Sequence, residues 1–153
     1  MVLSRGNDFV LFSFSKPLLT ITVKKATPTT EEWEWTKQTM ITFYQTIDSQ
    51  GFRMSIIFDL RCLGIMELGI FKDWAELFQE YREYTKRCVY RTSIITDNLT
   101  IKIGLNLFFS LYTTVRPMKF ASTLQEATQF VSETSVTETD RSDTESAPSV
   151  HTP

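Results

Sequence analysis

The run Met54-Ser-Ile-Ile-Phe-Asp-Leu60 decides the class of fold. It is apolar nearly throughout and lacks the alternation of apolar and polar side chains that marks a strand with one wet face. A run of this kind is typical of a strand in a parallel sheet that is covered on both sides. We therefore expect helices to pack around this strand.

Helices with one apolar face are predicted before and after the strand. The first begins after Thr29, which has capping-box spacing with Glu32, and ends at Gly51. Its apolar side chains recur at helical spacing, at Trp33, Met40, Tyr44 and Ile47. The second helix follows a loop and places four aromatic side chains on one face, Phe71, Trp74, Phe78 and Tyr81.

The other segments continue the alternation of strands and helices. The patterns predict a hairpin over residues 8 to 24, a strand over 88 to 95, a helix from Leu99 to Thr113, a strand from Met118 to Ala121, and a last helix through Val131 that opens with a capping box at Thr123 and Glu126. The order ββαβαβαβα predicts an α/β fold with a mainly parallel sheet, an N-terminal antiparallel hairpin and helices packed on it. One domain is expected over residues 8 to 131.

Residues 132 to 153 have a different composition. From residue 133 onward, nine side chains are Ser or Thr, five are acidic and one is basic. Such a segment buries too little apolar surface to offset the entropy of ordering, so we expect a disordered acidic tail. Ser135, Thr137 and Ser142 each have an acidic residue three positions later, which acidophilic kinases accept, and an inert solubilising tail is the alternative.

Composition excludes several functions. The formal charge is -2 and the 16 Lys and Arg residues are scattered, so nucleic acid is not an expected partner. The single histidine, His151, falls in the expected tail, so no histidine-based triad or metal site is predicted. Cys62 and Cys88 form no C-x-x-C pair and are read as reduced. Because the sequence contains no catalytic constellation, we expect no cofactor and no enzyme activity. The apolar run Phe9 to Phe14 is too short for a signal peptide, so we expect a cytoplasmic location, with peripheral association with a membrane as the alternative.

Three stretches carry a family resemblance. They are Ile56-Ile-Phe-Asp-Leu-Arg-Cys-Leu-Gly-Ile-Met-Glu-Leu-Gly69, Arg116-Pro-Met-Lys-Phe120 and Thr123-Leu-Gln-Glu-Ala127. The order of the predicted strands and helices contributes to the resemblance as well. Together they resemble the STAS or anti-sigma-factor-antagonist (SpoIIAA-like) superfamily over about residues 8 to 131. In that family a strand ending in Asp-Leu leads to Met-Asp-Ser-Ser-Gly at the next helix start.

The resemblance assigns positions in the loop after the central strand. Asp59-Leu60 falls on the family's Asp-Leu, and Met66-Glu67 falls on its Met-Asp. Leu68 and Gly69 lie where the phosphorylatable Ser-Ser pair would be, so the family's phosphorylation switch has no hydroxyl acceptor here. What the resemblance implies is a non-enzymatic scaffold that binds partners or, in the SpoIIAA-like branch, lipid or membrane-associated proteins.

The same loop holds the first group of candidate partner-binding residues, which are Asp59, Arg61, Glu67 and Gly69. The carboxyl end of a buried strand is the general location of ligands in open α/β sheets. A receiver-type site would pair Asp59 with Lys119, but the end of the first predicted strand offers no carboxylates for Mg²⁺. The alternative interpretation is that the carboxylates of Asp59 and Glu67 cap the loop or are solvated at the surface.

The helix from Leu99 to Thr113 holds the second group, Phe108, Phe109 and Tyr112. Apolar side chains surround its axis, whereas a helix on the outside of a sheet buries only one face. The other face must be covered by the fold itself, by a protein partner or a second copy, or by an anionic membrane surface. The expected function is a non-catalytic protein-interaction module, with a peripheral membrane or lipid-binding module as the alternative.

Overall fold

The computed structural model describes residues 2–64 and 68–133. Its strands are β1 (Val2–Gly6), β2 (Val10–Ser15), β3 (Leu18–Val23), β4 (Met54–Asp59), β5 (Val89–Ile95) and β6 (Met118–Ala121). Its helices are α1 (Thr30–Gln50), α2 (Leu68–Glu80), α3 (Arg82–Cys88), α4 (Leu99–Leu111) and α5 (Leu124–Ser132). The strands form one sheet in the order β1-β2-β3-β4-β5-β6.

The pairing of the strands confirms the predicted fold class. β1, β2 and β3 are antiparallel neighbours, and β3, β4, β5 and β6 run parallel to one another. Each crossover between two parallel strands contains a helix, which is the usual connection for a parallel pair. The carboxyl ends of β4 and β5 therefore lie at one edge of the sheet, and α2 and α4 follow them from that edge.

Strand β4 is buried at all six positions, as its sequence predicts. On one face, Ile56 and Phe58 belong to the large core that also contains buried side chains of α1, α2 and α4. On the other face, Ile57 packs in a smaller core with Ala127 and Val131 of α5. Helices α1, α2 and α4 therefore lie on one side of the sheet and α5 lies on the other.

Two elements were not predicted. β1 lies before the expected start of the domain at residue 8 and pairs along β2, for example Leu3 with Phe14. The strand is short, and apolar and polar side chains do not alternate along it, so no sequence pattern marks it as a strand. In the structure, its Leu3 side chain is exposed. Helix α3 follows α2 after a break at Tyr81, which has non-helical backbone angles and makes no side-chain cap.

The predicted helix caps are formed, with one correction. Thr29 Oγ1 accepts from Glu32 N at 3.1 Å, and Glu32 Oε1 accepts from Thr29 N at 2.8 Å, so the capping box of α1 is confirmed. Gly51 ends α1 with φ 77°, a left-handed conformation that favours glycine. At α5, Thr123 caps Glu126 N, but Glu126 Oε1 accepts from Ser122 N instead of the capping residue, so that box is incomplete.

Helices α2 and α4 pack tightly against each other at Gly104. A Cβ atom at this position would lie 2.3 Å from Phe71 Cε2, so only hydrogen fits between the two helices. Further along, the Phe78 ring packs edge-on against the rings of Phe108 and Tyr112, at centroid distances of 5.6 and 5.5 Å. These contacts fix which side of α4 faces the core.

The substitution Gly104→Ala tests this approach, and we expect it to destabilise the fold by about 1–3 kcal/mol because the new methyl group displaces the Phe71 ring. Gly69→Ala is the matched control, since its Cβ would meet nothing within 4 Å. Alanine there should be neutral or stabilise by up to about 1 kcal/mol, from its helix propensity. Urea unfolding measures both, and equal stability of the two variants would contradict the packing described.

Candidate interaction surface

The inner face of α4 belongs to the core. Phe108 and Tyr112 are each 2% exposed, and Phe109 is half-buried with its ring edge-on to Phe120 at 6.1 Å. These three residues were predicted to lie on a partner-binding surface. That prediction is wrong for Phe108 and Tyr112, because their rings fill the space between α4, α2 and the sheet.

The outer face of α4 carries exposed aliphatic side chains instead. Leu99 is 73% exposed, Ile103 57% and Leu111 45%, and Leu107 is partly exposed. These four residues are spaced by four positions, so they follow one side of the helix over three turns. We refer to Leu99, Ile103, Leu107 and Leu111 as the apolar stripe.

The start of α2 adds to this surface. Leu68 is 55% exposed, and Gly69 is exposed beside it. Leu68 lies one turn before Phe71, the residue that packs on Gly104, so it is on the side of α2 that is turned toward α4. The predicted site residue Gly69 is therefore exposed at the start of α2, whereas Glu67 lies outside the described residues.

The loop after β4 is organised by an ion pair. Asp59 Oδ1 accepts from the backbone N and the Nε of Arg61 at 3.2 and 2.9 Å, and Asp59 Oδ2 accepts from Nη2 at 2.7 Å. The hydrogen bonds from Arg61 hold the pKa of Asp59 below its ordinary value. Lys119 lies over the Phe130 ring at 5.5 Å, and no ion pair between it and Asp59 is found in the described part of the chain. The Asp59 carboxylate thus accepts hydrogen bonds from the backbone and the side chain of Arg61 at the start of this loop.

A small apolar cavity lies beneath the surface, between the sheet and helices α1, α2 and α4. Its volume is about 80 Å³. Trp33, Phe58, Phe71, Trp74, Leu105 and Phe108 are among the side chains that line it. The Trp33 indole N–H donates to Asp73 Oδ2 at 2.7 Å, and Lys37 pairs with the same carboxylate at 2.6 Å, so this polar cluster connects α1 to α2 beside the cavity.

Metal-ligating side chains do not gather in residues 2–64 and 68–133. No cluster of three metal-ligating side chains occurs in these ranges. Burial raises the pKa of Tyr112 to about 12 and also raises that of Tyr44, whose hydroxyl is hydrogen-bonded to Thr85 Oγ1 at 2.7 Å. Both phenols therefore stay protonated at neutral pH. Cys62 and Cys88 are free thiols, as predicted.

Comparison with solved structures shows the fold. The chain is similar to the crystal structure of an uncharacterized protein of the DUF3478 family with a SpoIIAA-like fold from Shewanella loihica PV-4. The TM-score is 0.53 at 12% sequence identity, over 86% of this chain and 92% of that one. The chain therefore has a SpoIIAA-like fold, as its resemblance to that superfamily predicted.

Sequence comparisons add no family. No protein-family model matches the sequence, and no curated protein matches it. Within the described ranges, none of the helices combines the length and the apolar character that crossing a bilayer requires. Ser135, Thr137 and Ser142, the predicted phosphorylation sites, lie outside the described residues, which end at Glu133.

The ion pair between Asp59 and Arg61 predicts a pH dependence of stability. Because the pKa of Asp59 is lower in the folded chain than its ordinary value of 3.8, the pair stabilises the fold above that value and is lost as pH falls through the folded pKa. Asp59→Asn should cost about 1–3 kcal/mol at pH 7. The difference from the parent protein should shrink below about pH 4. Urea unfolding at pH 7 and pH 3 measures it, and a difference that is independent of pH would contradict this role of the carboxylate.

Proposed function

We propose that the chain is a non-catalytic interaction module that binds a protein partner through the apolar stripe and Leu68. The proposal rests on the two faces of α4, which are both apolar although only one of them is buried. Its inner face is filled by aromatic packing, and its outer face still presents large aliphatic side chains, two of which are more than half exposed. Such a helix face is typical of a surface that is covered in a complex.

The size and setting of this surface suit the centre of an interface. Covering an exposed Leu or Ile side chain stabilises a complex by roughly 1.5–3 kcal/mol when burial is complete. Exposed polar side chains of α4 lie next to the stripe, including Lys102, Asn106 and Ser110. An apolar centre with a polar rim is the usual anatomy of a protein–protein interface.

A peripheral membrane module is the second candidate. Leu99 and Ile103 are the two most exposed aliphatic side chains of α4, and the cation Lys102 is exposed between them in sequence. Aliphatic side chains that enter the headgroup region and a lysine that contacts anionic lipid would suit such a surface. Here the stripe would contact lipid in place of a protein.

The substitution Ile103→Glu tests the proposed surface, because it places a charge at the centre of the stripe without touching the core. Leu124→Glu, at an equally aliphatic and 46% exposed position on α5, is the matched control. A photo-cross-linking amino acid at position 107 of the full-length protein should give a discrete protein adduct in extracts of the native cell. We expect Ile103→Glu to reduce this adduct at least tenfold, as loss of about 1.4 kcal/mol or more of binding free energy requires.

Two outcomes would contradict binding of a protein through the stripe. One is an adduct that is unchanged by Ile103→Glu. The other is an absence of adducts together with flotation on vesicles that contain anionic phosphatidylserine but not on neutral phosphatidylcholine vesicles, which would support the membrane module. Sedimentation velocity of the purified protein shows whether the cross-linked partner is a second copy of the chain.

A further inference from the structure

Strand β1 forms one edge of the sheet and is exposed from Leu3 to Gly6. Among the described strands it pairs with β2 alone. Leu3 is 48% exposed, and Ser4, Arg5 and Gly6 are exposed as well. The other edge strand, β6, is less accessible, since its Met118 is 6% exposed. An open edge strand presents backbone N–H and C=O groups on which another strand can pair.

The hydrogen bonds of the hairpin show which backbone groups of β1 point outward. Asn7, the residue after β1, donates its backbone N–H to the Val10 carbonyl at 3.0 Å, so these two residues form a hydrogen-bonded pair. Hydrogen-bonded and non-hydrogen-bonded pairs alternate along an antiparallel ladder. In the register of β1 with β2, Leu3 and Arg5 therefore bond to β2. The even-numbered residues of β1 direct their backbone groups to the open edge.

A second copy of β1 fits this edge in one antiparallel register. When Ser4 lies opposite Ser4 of the second copy, Val2 lies opposite Gly6, so the outward N–H and C=O groups of both strands find partners. The same residues then meet in both copies, as a two-fold axis requires. A shift by two residues in either direction leaves outward groups unpaired. One of these shifts also places Arg5 opposite Arg5, and like charges directly opposite each other destabilise a strand pair.

The side chains beside this pairing are complementary. Arg5 lies opposite Phe12 in the register, and the Phe12 ring stacks on Phe43 of α1 at 5.6 Å. Leu3 and Arg5 therefore lie on the face of β1 that is turned toward α1. With Ser4 opposite Ser4, Leu3 of each copy lies opposite Arg5 of the other. The aliphatic stem of the arginine can then cover the exposed leucine, while its charged end stays in water.

We propose that the chain forms a two-fold symmetric dimer in which the two β1 strands pair in antiparallel fashion about Ser4, so that the two six-stranded sheets become continuous. Only short strands pair, so we expect a dissociation constant that is roughly micromolar. The dimer surface is distinct from the apolar stripe, because α4 connects β5 to β6 at the other end of the strand order. A dimer of this kind carries two apolar stripes.

Sedimentation velocity of the full-length protein over a range of concentrations measures the self-association. Ser4→Pro removes the outward N–H at the centre of the pairing and leaves the hydrogen bonds between β1 and β2, since proline is tolerated on an edge strand where its nitrogen faces solvent. Ser4→Ala retains the N–H and is the matched control. We expect Ser4→Pro to weaken dimerisation at least roughly tenfold and Ser4→Ala to change it by less than about threefold.

The charge at position 3 tests the register independently of the proline variant. Leu3→Glu would place a carboxylate opposite Arg5 of the second copy, twice in each dimer, whereas Leu3→Lys would place an ammonium group there. At low salt we expect the Leu3→Glu variant to dimerise roughly threefold to tenfold more tightly than the Leu3→Lys variant. High salt should remove this difference, because it screens exposed charges.

Amide hydrogen exchange measured by NMR identifies the residues that pair. The Ser4 N–H should become protected as the protein concentration rises, whereas the Arg5 N–H, which bonds to β2, should be protected at every concentration. Three results would overturn the proposal: a protein that stays monomeric up to about 1 mM, a Ser4 N–H that is already protected in the monomer, or a dimer that depends neither on Ser4→Pro nor on the charge at position 3. A dimer that Ile103→Glu disrupts and Ser4→Pro leaves intact would also overturn it, because the copies would then pair through the apolar stripe.

Discussion

Strand β4 is buried on both faces, and this burial determines where the other strands and the helices must lie. A strand that exposes no side chain needs neighbours on both edges and helices on both faces. Here β3 and β5 supply the edges, helices α1, α2 and α4 cover one face, and α5 covers the other. Helix α4 packs beside α2 on one face of the sheet, so the side of α4 that carries aromatic residues faces the core. The opposite side of α4, which carries aliphatic residues, faces solvent.

The parts of the fold that were predicted from the sequence depend on local patterns. Short stretches of sequence are enough to recognise three of these features. They are the capping box at Thr29, the left-handed turn at Gly51 and the continuous apolar run of β4. β1 and α3 were not predicted, since a short edge strand gains its stability from pairing with β2, and the break at Tyr81 has no capping signal. Tertiary context decides both.

The candidate sites were also predicted only where local sequence patterns were sufficient. The sequence indicated that α4 is apolar all round, but the choice between its two faces depends on the contact of Gly104 with Phe71, which joins two helices that are far apart in the chain. Phe108 and Tyr112 were therefore assigned to the wrong face.

Carbene footprinting of the purified full-length protein measures whether the apolar stripe is exposed in the isolated chain. At low micromolar concentration, we expect strong labelling of Leu99, Ile103 and Leu111, which are exposed, and little labelling of Phe108 and Tyr112, which are buried. Weak labelling of Leu99 and Ile103 under conditions where the protein is monomeric would contradict it, since the stripe would then be covered by the chain itself.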